Sequence, residues 1–372
     1  MNYYIIAGEA SGDLHGSNLM KSILVHDPSA NFRLYGGDLM QQAGGSLVKH
    51  YREMAFMGLV DVLANLKTIS RNLETCKKDI LSWKPDAVIL IDYAGFNLRI
   101  AEYAKGSGIR VFYYISPKVW AWRKSRIARL KKFTDKLFVI FPFEVEFFRQ
   151  HGMEVEYFGN PLMDSYHQFL QERKKRDLDV EGMDPKKEIV ALLAGSRKHE
   201  VLRCLPPMLN AAKAFPEYQF IVAGASSVEE KIYRQLMDGS SAILARNQTY
   251  SLLNSASAAV VTSGTATLET AIFRIPQVVV YKTSIFNYIL GRPFIRIKFF
   301  SLVNLIAGKA VVKELLQFNL SREIRIELGK IIQDKAYKKE MLTGYEMILS
   351  TLGGPGTSSR VGERMVTLLK SQ

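Results

Sequence analysis

The chain has 372 residues, and its content of 48% hydrophobic and 23% charged residues is typical of a globular protein with two domains of ordinary size. No stretch approaches ~18 consecutive apolar residues and the first residues carry no basic leader, so we expect neither a membrane-spanning helix nor a signal peptide. Lysine and arginine number 50 against 36 acidic residues, and the net charge of +14 favours polyanionic partners: nucleic acid, an anionic membrane surface or phosphorylated substrates.

Short apolar runs alternate with amphipathic stretches along the chain. We predict strands at residues 3–7, 32–35, 87–91, 111–115, 137–140, 189–193, 220–223, 258–262 and 276–281. Many of these runs are apolar at every position, which is typical of parallel strands covered by helices on both faces. The sequence therefore predicts an α/β protein with two doubly wound sheets.

The apolar rhythm breaks in the middle of the chain, where Gly159, Pro161 and a run of mixed charge precede its return at Ile189. We predict an N-terminal domain over residues 1–160, a linker over 161–187 and a C-terminal domain over 188–352. After residue 281 the pattern is helical to the end. Glycines and proline at 353–356 indicate a hinge at the start of a C-terminal segment over 353–372, whose helix Ser358 or Ser359 is expected to cap. This helix would either pack back on the N-terminal domain or be exchanged in a dimer.

Three strand-to-helix turns are polar and contain glycine: AGEASGDLHG at 7–16, LAGSRKHE at 193–200 and TSGTATLE at 262–269. The N-terminus of a helix offers unpaired N–H groups and a positive dipole end to an anion. Arg197 adds a planar donor suited to a diphosphate, and Glu269 could accept both hydroxyls of a ribose. Each turn alone is equally well explained as a capped loop; as a pair they predict a nucleoside diphosphate site made of Gly195, Ser196, Arg197, Ser263, Gly264, Thr265 and Glu269.

The chain contains neither a P-loop signature nor G-x-G-x-x-G after its first strand, which disfavours P-loop hydrolases and ordinary dinucleotide dehydrogenases. The six histidines form no i, i+4 pair, and Cys76 and Cys204 provide neither a disulfide framework nor a metal cage. We therefore expect a metal-independent reaction in a reducing, cytoplasmic compartment. Helix dipoles and Arg197 would take the place of a divalent cation.

The candidate chemistry lies in the N-terminal half. Asp92 follows a buried strand and should share one sheet edge with Glu9, Ser11, Asp13 and His15. A carboxylate in a partly dry cleft between domains is a candidate general base, because burial moves its pKa towards neutrality. A helix-capping role explains Asp92 equally well, and Glu9 and His15 are the alternative bases.

A surface for a membrane is a further candidate. Residues 54–69 would distribute apolar side chains over much of a helix, namely Met54, Met57, Leu59, Val60, Leu63 and Leu66. Residues 120–132 and 291–300 interleave aromatic with basic residues. Burial in the core explains the first segment at least as well; exposure would indicate a protein resting on an anionic leaflet, and the basic aromatic segments could also bind RNA.

Six ordered motifs together resemble the lipid-A-disaccharide synthases over essentially the whole chain: GEASGD at 8–13, ISPKVWAWR at 115–123, GNP at 159–161, GSRKHEV at 195–201, SGTATLE at 263–269 and SLVNLIAGKAVVKELLQ at 301–317. The resemblance implies a GT-B glycosyltransferase fold, with two Rossmann-like domains and an interdomain cleft. In that family Asp92 would take part in catalysis, Arg197 and the turn at 263–269 would face UDP, and Asn304 would help to build the site. We place Gln317, Ser11 and Asp13 with Asn304, as residues that contact the acceptor or build the site.

The implied reaction is the inverting transfer of 2,3-diacylglucosamine from UDP-2,3-diacylglucosamine to 2,3-diacylglucosamine 1-phosphate (lipid X). Its products would be a β-1,6-linked disaccharide 1-phosphate and UDP, in lipid A biosynthesis for a Gram-negative outer membrane. The resemblance also implies a peripheral protein on anionic lipids at the inner face of the cytoplasmic membrane, a possible homodimer through C-terminal exchange, and no nucleic-acid partner.

One departure from the family pattern concerns Gly95, where many relatives have a second aspartate, so any role of that acid cannot carry over and Asp92 becomes the main candidate. Two alternatives stay open from the residues themselves. One is a UDP-sugar 2-epimerase of the same fold, and the other is a basic RNA-binding protein.

Overall fold

The computed structural model describes residues 1–54, 65–120, 125–172, 177–283 and 298–371. The chain divides into two compact units: an N-terminal unit of Met1–Asp164 with Gly353–Gln372, and a C-terminal unit of Ser165–Leu352. Each unit contains one parallel sheet with helices around it. The prediction of two Rossmann-like α/β domains is thereby confirmed.

In the described part of the N-terminal unit, seven parallel strands lie in the order β3-β2-β1-β4-β5-β6-β7. The strands are β1 (Asn2–Ala7), β2 (Asn31–Gly36), β3 (Ser46–His50), β4 (Ala87–Ile91), β5 (Arg110–Tyr114), β6 (Lys136–Val139) and β7 (Glu156–Tyr157). The helices are α1 (Ala10–His26), α2 (Asp38–Gln42), α3 (Leu66–Trp83), α4 (Ala94–Gly106), α5 (Arg126–Phe133), α6 (Pro142–Gln150) and α7 (Pro161–Gln171, which continues into the second unit).

In the described part of the C-terminal unit, six parallel strands lie in the order β10-β9-β8-β11-β12-β13. The strands are β8 (Ile189–Leu193), β9 (Gln219–Gly224), β10 (Ile243–Arg246), β11 (Ala256–Thr262), β12 (Gln277–Tyr281) and β13 (Lys313–Leu316). The helices are α8 (Lys198–Ala212), α9 (Glu230–Met237), α10 (Thr249–Ser255), α11 (Thr265–Ile272), α12 (Leu302–Ala307), α13 (Leu320–Gln333) and α14 (Lys335–Leu352). The last helix of the chain, α15 (Thr357–Lys370), belongs to the N-terminal unit.

The central strands explain why the sequence folds this way. Every residue of β4, β8 and β9 is buried, as expected for strands covered by helices on both faces. Both sheets run outward in two directions from their first strand, so the order reverses between β1 and β4 and again between β8 and β11. In open parallel sheets, ligands bind beyond the carboxyl ends of the strands at such switch points. The turns that contain Glu9 and Asp92, and those that contain Arg197 and Ser263, leave the sheets at these two places.

All nine predicted strands are present, with ends that differ by up to two residues, but β3, β7, β10 and β13 were not predicted. The expectation that residues after 281 are all helical is wrong, because Lys313–Leu316 pairs in parallel with β12. Its sequence, KELL, has the composition of a helix. Pairing with the neighbouring strand outweighs that local preference.

Two predicted boundaries are also wrong. Helix α7 occupies the first part of the proposed linker, and the units divide between Asp164 and Ser165. Neither Ser358 nor Ser359 caps α15; the carboxylate of Asp164 instead accepts the N–H groups of Gly356, Thr357 and Ser358 at 2.5, 3.0 and 2.7 Å. The carboxylate neutralises the positive end of the helix from a distant part of the chain.

Helix α15 packs on α1. Ser22 donates its hydroxyl to the carbonyl of Ser359 at 3.1 Å, and a Cβ on Gly362 would lie 2.2 Å from the Ser22 Oγ. At the other end, Lys370 donates to the carbonyl of His26 at 3.0 Å. Residues 353–371 are therefore part of the N-terminal unit rather than a free tail.

Candidate active site

The turn after β4 fixes Asp92 in an unusual conformation. The φ of Asp92 is 43°, in the left-handed region that non-glycine residues seldom adopt. Its N–H donates to the carbonyls of Tyr114 at 3.3 Å and Ile115 at 3.2 Å, while its carbonyl accepts from Asn97 Nδ2 at 2.9 Å and from the Tyr113 hydroxyl at 2.5 Å. Strained backbone that is held by its surroundings in this way is concentrated at functional sites. The half-buried Asp92 thus has a backbone that four neighbours position.

Tyr93 packs against the turn between β1 and α1, at the same edge of the sheet as Asp92. A Cβ on Gly8 would lie 2.3 Å from the Tyr93 Cγ, so the ring packs directly against the backbone that leads into Glu9. The Tyr93 hydroxyl donates to the carbonyl of Met54 at 2.6 Å. Burial raises the pKa of Tyr93 to about 12, and the negative charge of Glu9 adds to the rise. The turn that contains Glu9 and the turn that follows β4 are therefore adjacent at this edge of the sheet.

Asp13 and Ser11 lie on the first turn of α1, directly after β1. The buried carboxylate of Asp13 accepts the N–H groups of Gly37, Leu39 and Met40 at 2.8, 3.0 and 3.1 Å, which caps the start of α2. The three hydrogen bonds give Asp13 a structural role. Ser11 is exposed.

His15 is a poor candidate for the base. Its side chain is 5% exposed, and burial lowers its pKa from 6.5 to about 4 against the opposing effect of Asp164. A group that binds protons so weakly is a weak general base at neutral pH.

Glu144 is a buried acid near Asp92 that the sequence reasoning missed. Its carboxyl group is buried after β6; Oε2 accepts the N–H groups of Ile140 and Phe141 at 3.1 and 3.0 Å, and Oε1 accepts from Trp120 Nε1 at 3.2 Å. Burial raises the pKa of Glu144 to about 7, and the charge of Asp92 contributes to the rise. The signal was present as a proline at the first position of α6 and a glutamate at the third, where a glutamate can reach back to the backbone N–H before the helix.

In the C-terminal unit, the turn after β8 differs from the predicted anion cradle. Gly195 has a φ of 109°, and the N–H groups of Ser196 and Arg197 donate to Glu200 Oε2 at 3.2 and 3.3 Å. The Arg197 Nη1 donates to Glu200 Oε1 at 3.2 Å. The groups expected to hold a diphosphate are thus engaged by a carboxylate from the same helix.

The turn after β11 lies beside the segment 298–316. The N–H of Ser263 donates to the carbonyl of Val280 at 2.8 Å and its hydroxyl to the carbonyl of Phe300 at 2.9 Å, so Ser263 does not offer its N–H to a ligand. Gly264 and Thr265 begin α11, where the first N–H groups of a helix have no partner within the helix. Glu269 accepts from the Tyr250 hydroxyl at 3.1 Å, and burial raises its pKa.

Asn304 and Gln317 hold the edge of this sheet together. Asn304 Oδ1 accepts the N–H groups of Val311 and Val312 at 2.7 and 2.9 Å, and its Nδ2 donates at 2.9 Å to Glu314. Gln317 exchanges two hydrogen bonds with the backbone of Thr283, at 3.0 and 2.9 Å. Both amides therefore shape this part of the C-terminal unit, and a contact with the acceptor stays a prediction.

The candidate membrane patch is only partly described. Met57, Leu59, Val60 and Leu63 lie outside the described residues. Met54 is 1% exposed and belongs to the core, as the alternative of a buried segment predicts, whereas Leu66 is 51% exposed at the start of α3. Within the described ranges, no helix is long and apolar enough to cross a membrane, and no group of three or more histidine, cysteine or acidic side chains could hold a metal ion.

Comparison with known proteins gives a consistent result. A family model described as lipid-A-disaccharide synthetase matches residues 3–349. The lipid-A-disaccharide synthase of Geobacter metallireducens is 38% identical over 372 residues, covering 98% of this chain and 96% of that protein. That of Syntrophus aciditrophicus is 40% identical over 380 residues, covering 98% and 97%.

Solved structures with a similar fold include the UDP-GlcNAc 2-epimerase of Neisseria meningitidis bound to UDP-GlcNAc, with a TM-score of 0.68 at 13% identity over 99% of this chain and 100% of that chain. The glycotransferase of kitacinnamycin has a TM-score of 0.62 at 12% identity over 99% of both chains. At such low identity the likeness shows the fold alone.

Proposed function

Since the chain belongs to the lipid-A-disaccharide synthase family, we propose how its residues carry out the reaction of that family. The chain is a glycosyltransferase that uses a UDP-sugar donor and a lipid acceptor. The finer identities are part of the proposal: UDP-2,3-diacylglucosamine as donor, 2,3-diacylglucosamine 1-phosphate as acceptor, and a β-1,6-linked disaccharide 1-phosphate and UDP as products.

Asp92 is the proposed general base. Its carboxylate takes the proton of the acceptor 6-hydroxyl while that oxygen attacks the anomeric carbon from the face opposite UDP. The new glycosidic bond forms as the bond to the diphosphate breaks, so the anomeric configuration inverts. The observation that carries this proposal is the backbone of Asp92, held by four neighbours at the switch point between β1 and β4.

The C-terminal unit is the proposed donor site. Arg197 and the first N–H groups of α11, at Gly264 and Thr265, would stabilise the negative charge that grows on the departing diphosphate. Glu269 would accept the hydroxyls of the ribose. One charge-assisted hydrogen bond contributes about 1.5–3 kcal/mol, or roughly 10- to 150-fold in rate. With this cationic and dipolar set, we propose that the reaction needs no metal ion.

We also propose that the protein works on the inner face of the cytoplasmic membrane, where both acylated substrates reside. The net charge of +14 supports attraction to anionic lipids. A homodimer through exchange of residues 353–371 would use the surface of α1 that α15 covers within one chain. Nucleic acid has no part in this function.

The test is to incubate the purified chain with both acylated substrates in the presence of EDTA and to detect the disaccharide by mass spectrometry. The Asp92→Asn variant should give little product, and Asp238→Asn, which changes an exposed aspartate at the end of α9, should match the wild type. A strict requirement for added divalent metal would overturn the metal-independent mechanism. Conversion of UDP-N-acetylglucosamine alone would favour the epimerase reaction, and absence of UDP binding with tight RNA binding would favour the RNA-binding alternative.

A further inference from the structure

Glu200 occupies the place in the C-terminal unit where an anion was expected. Its two carboxylate oxygens accept from the N–H groups of Ser196 and Arg197 and from the Arg197 guanidinium. These are the kinds of donor that bind a diphosphate at the N-terminus of a helix. The turn after β8 therefore already holds a negative group of its own.

The approach of this carboxylate depends on Gly195. A Cβ at that position would lie 2.5 Å from Glu200 Oε2, and the φ of 109° is in the region that favours glycine. A glycine that lets a carboxylate reach the backbone N–H groups would let a phosphate reach them too. The Glu200 carboxylate and a phosphate would use the same N–H groups beside Gly195, so only one of them can bind there at a time.

Glu200 is a partly solvated cap with long hydrogen bonds. Its contacts with backbone N–H groups measure 3.2 and 3.3 Å, whereas those of Asp164 range from 2.5 to 3.0 Å. Its side chain is 19% exposed, while Glu144 is buried. A partly solvated carboxylate on long hydrogen bonds can be displaced at modest cost.

We propose that Glu200 is a resident anion of the donor site, which occupies the diphosphate position before the donor binds and returns to it when UDP leaves. This inference rests on the proposed function, because it assumes that the diphosphate lies at this turn. The competing charge weakens the binding of donor and of UDP alike. The donor has additional contacts through its acylated sugar, so the effect is to speed the release of the product.

The test is the binding of UDP to Glu200→Gln, measured by calorimetry. Glutamine at the third helical position removes the charge, and its amide oxygen can still accept the N–H groups of Ser196 and Arg197; the hydrogen bond from the Arg197 guanidinium is lost with the second carboxylate oxygen. Repulsion between like charges about 4 Å apart corresponds to roughly 5-fold in affinity in bulk water and to more where water is excluded, so UDP should bind the variant at least ~5-fold more tightly. The gain should shrink in high salt. The matched control is Glu230→Gln, which changes a glutamate in the first turn of α9 that is also paired with an arginine.

The outcomes separate the two proposals. Tighter UDP binding by Glu200→Gln, with Glu230→Gln unchanged, supports the resident anion. Equal or weaker binding overturns it, because Glu200 would then only cap α8 or orient Arg197. If Arg197→Ala binds UDP as well as the wild type does, or if the wild type does not bind UDP, the diphosphate does not lie at the turn after β8. Both the proposed donor site and the proposed role of Glu200 are then refuted.

Discussion

The buried carboxyl group of Glu144 makes the stability of the N-terminal unit depend on pH. Burial raises its pKa from 4.5 to about 7, and since a pKa unit is worth ~1.4 kcal/mol, the difference corresponds to about 3 kcal/mol. The folded unit binds this proton more tightly than the unfolded chain does. The stabilisation is therefore fully present below pH 4.5 and is lost as the pH rises through about 7. The Glu144→Gln variant, neutral at every pH, should not lose it.

Unfolding in urea, followed by tryptophan fluorescence between pH 4.5 and 8, measures this effect. The three tryptophans are at positions 83, 120 and 122, so their emission reports on the N-terminal unit alone. The free energy of unfolding of the variant, minus that of the wild type, should grow by about 3 kcal/mol over this range. Glu146→Gln, on the exposed side of the same helix, is the control and should show no such growth. A difference that stays constant with pH would refute the reasoning, since Glu144 would then not change its protonation in this window.

Three further predictions concern the proposed site and the last helix. Asp92→Asn should lower turnover by ~10² or more and leave the affinity for UDP nearly unchanged, as measured by steady-state kinetics and calorimetry; normal turnover would move the base to Glu9. Arg197→Ala should weaken UDP binding and lower kcat/KM at least ~10-fold, because it removes a charge-assisted hydrogen bond; equal UDP affinity would exclude Arg197 from the donor site. Asp164→Ala removes the acceptor of three N–H groups at the start of α15. The variant should be less stable by about 1–2 kcal/mol in the N-terminal unit, and protease should cleave faster within residues 353–371. Unchanged protection from protease would show that packing on α1 alone holds the helix.

The fold could be predicted where the sequence pattern is local. Strands such as β4 and β8 are short apolar runs between turn residues. Because both faces of each strand are buried, every position must be apolar, and this pattern is visible in the sequence. Strand β13 could not be predicted, because the letters KELL are typical of a helix and only the partner β12 makes them a strand. The rhythm of the chain thus indicates the class of fold, while the edges of the sheets depend on pairing.

The candidate site could be predicted only in outline. Parallel strands bring their carboxyl ends to one edge, so the neighbourhood of Glu9 and Asp92 followed from chain order. Chain order does not show which carboxylates already accept hydrogen bonds within the protein. The partners of Asp13 are 24 to 27 residues away in the sequence, and those of Asp164 are 192 to 194 residues away, so no local sequence pattern predicts either set of contacts. Glu144 and Glu200 could be predicted as helix caps, because each is a glutamate at the third position of a helix. That position alone does not distinguish a cap from a group with a further role.

The interrupted course of the N-terminal unit has a consequence for biosynthesis. As the nascent chain leaves the ribosome, residues 1–164 emerge first, yet the helix that covers α1 is made only after the whole of residues 165–352. The C-terminal unit is an uninterrupted segment, and all of it is synthesised before that helix. Until α15 has been synthesised, residues 1–164 expose the face of α1 that this helix covers. We expect chaperones to bind at this face and aggregation to begin there.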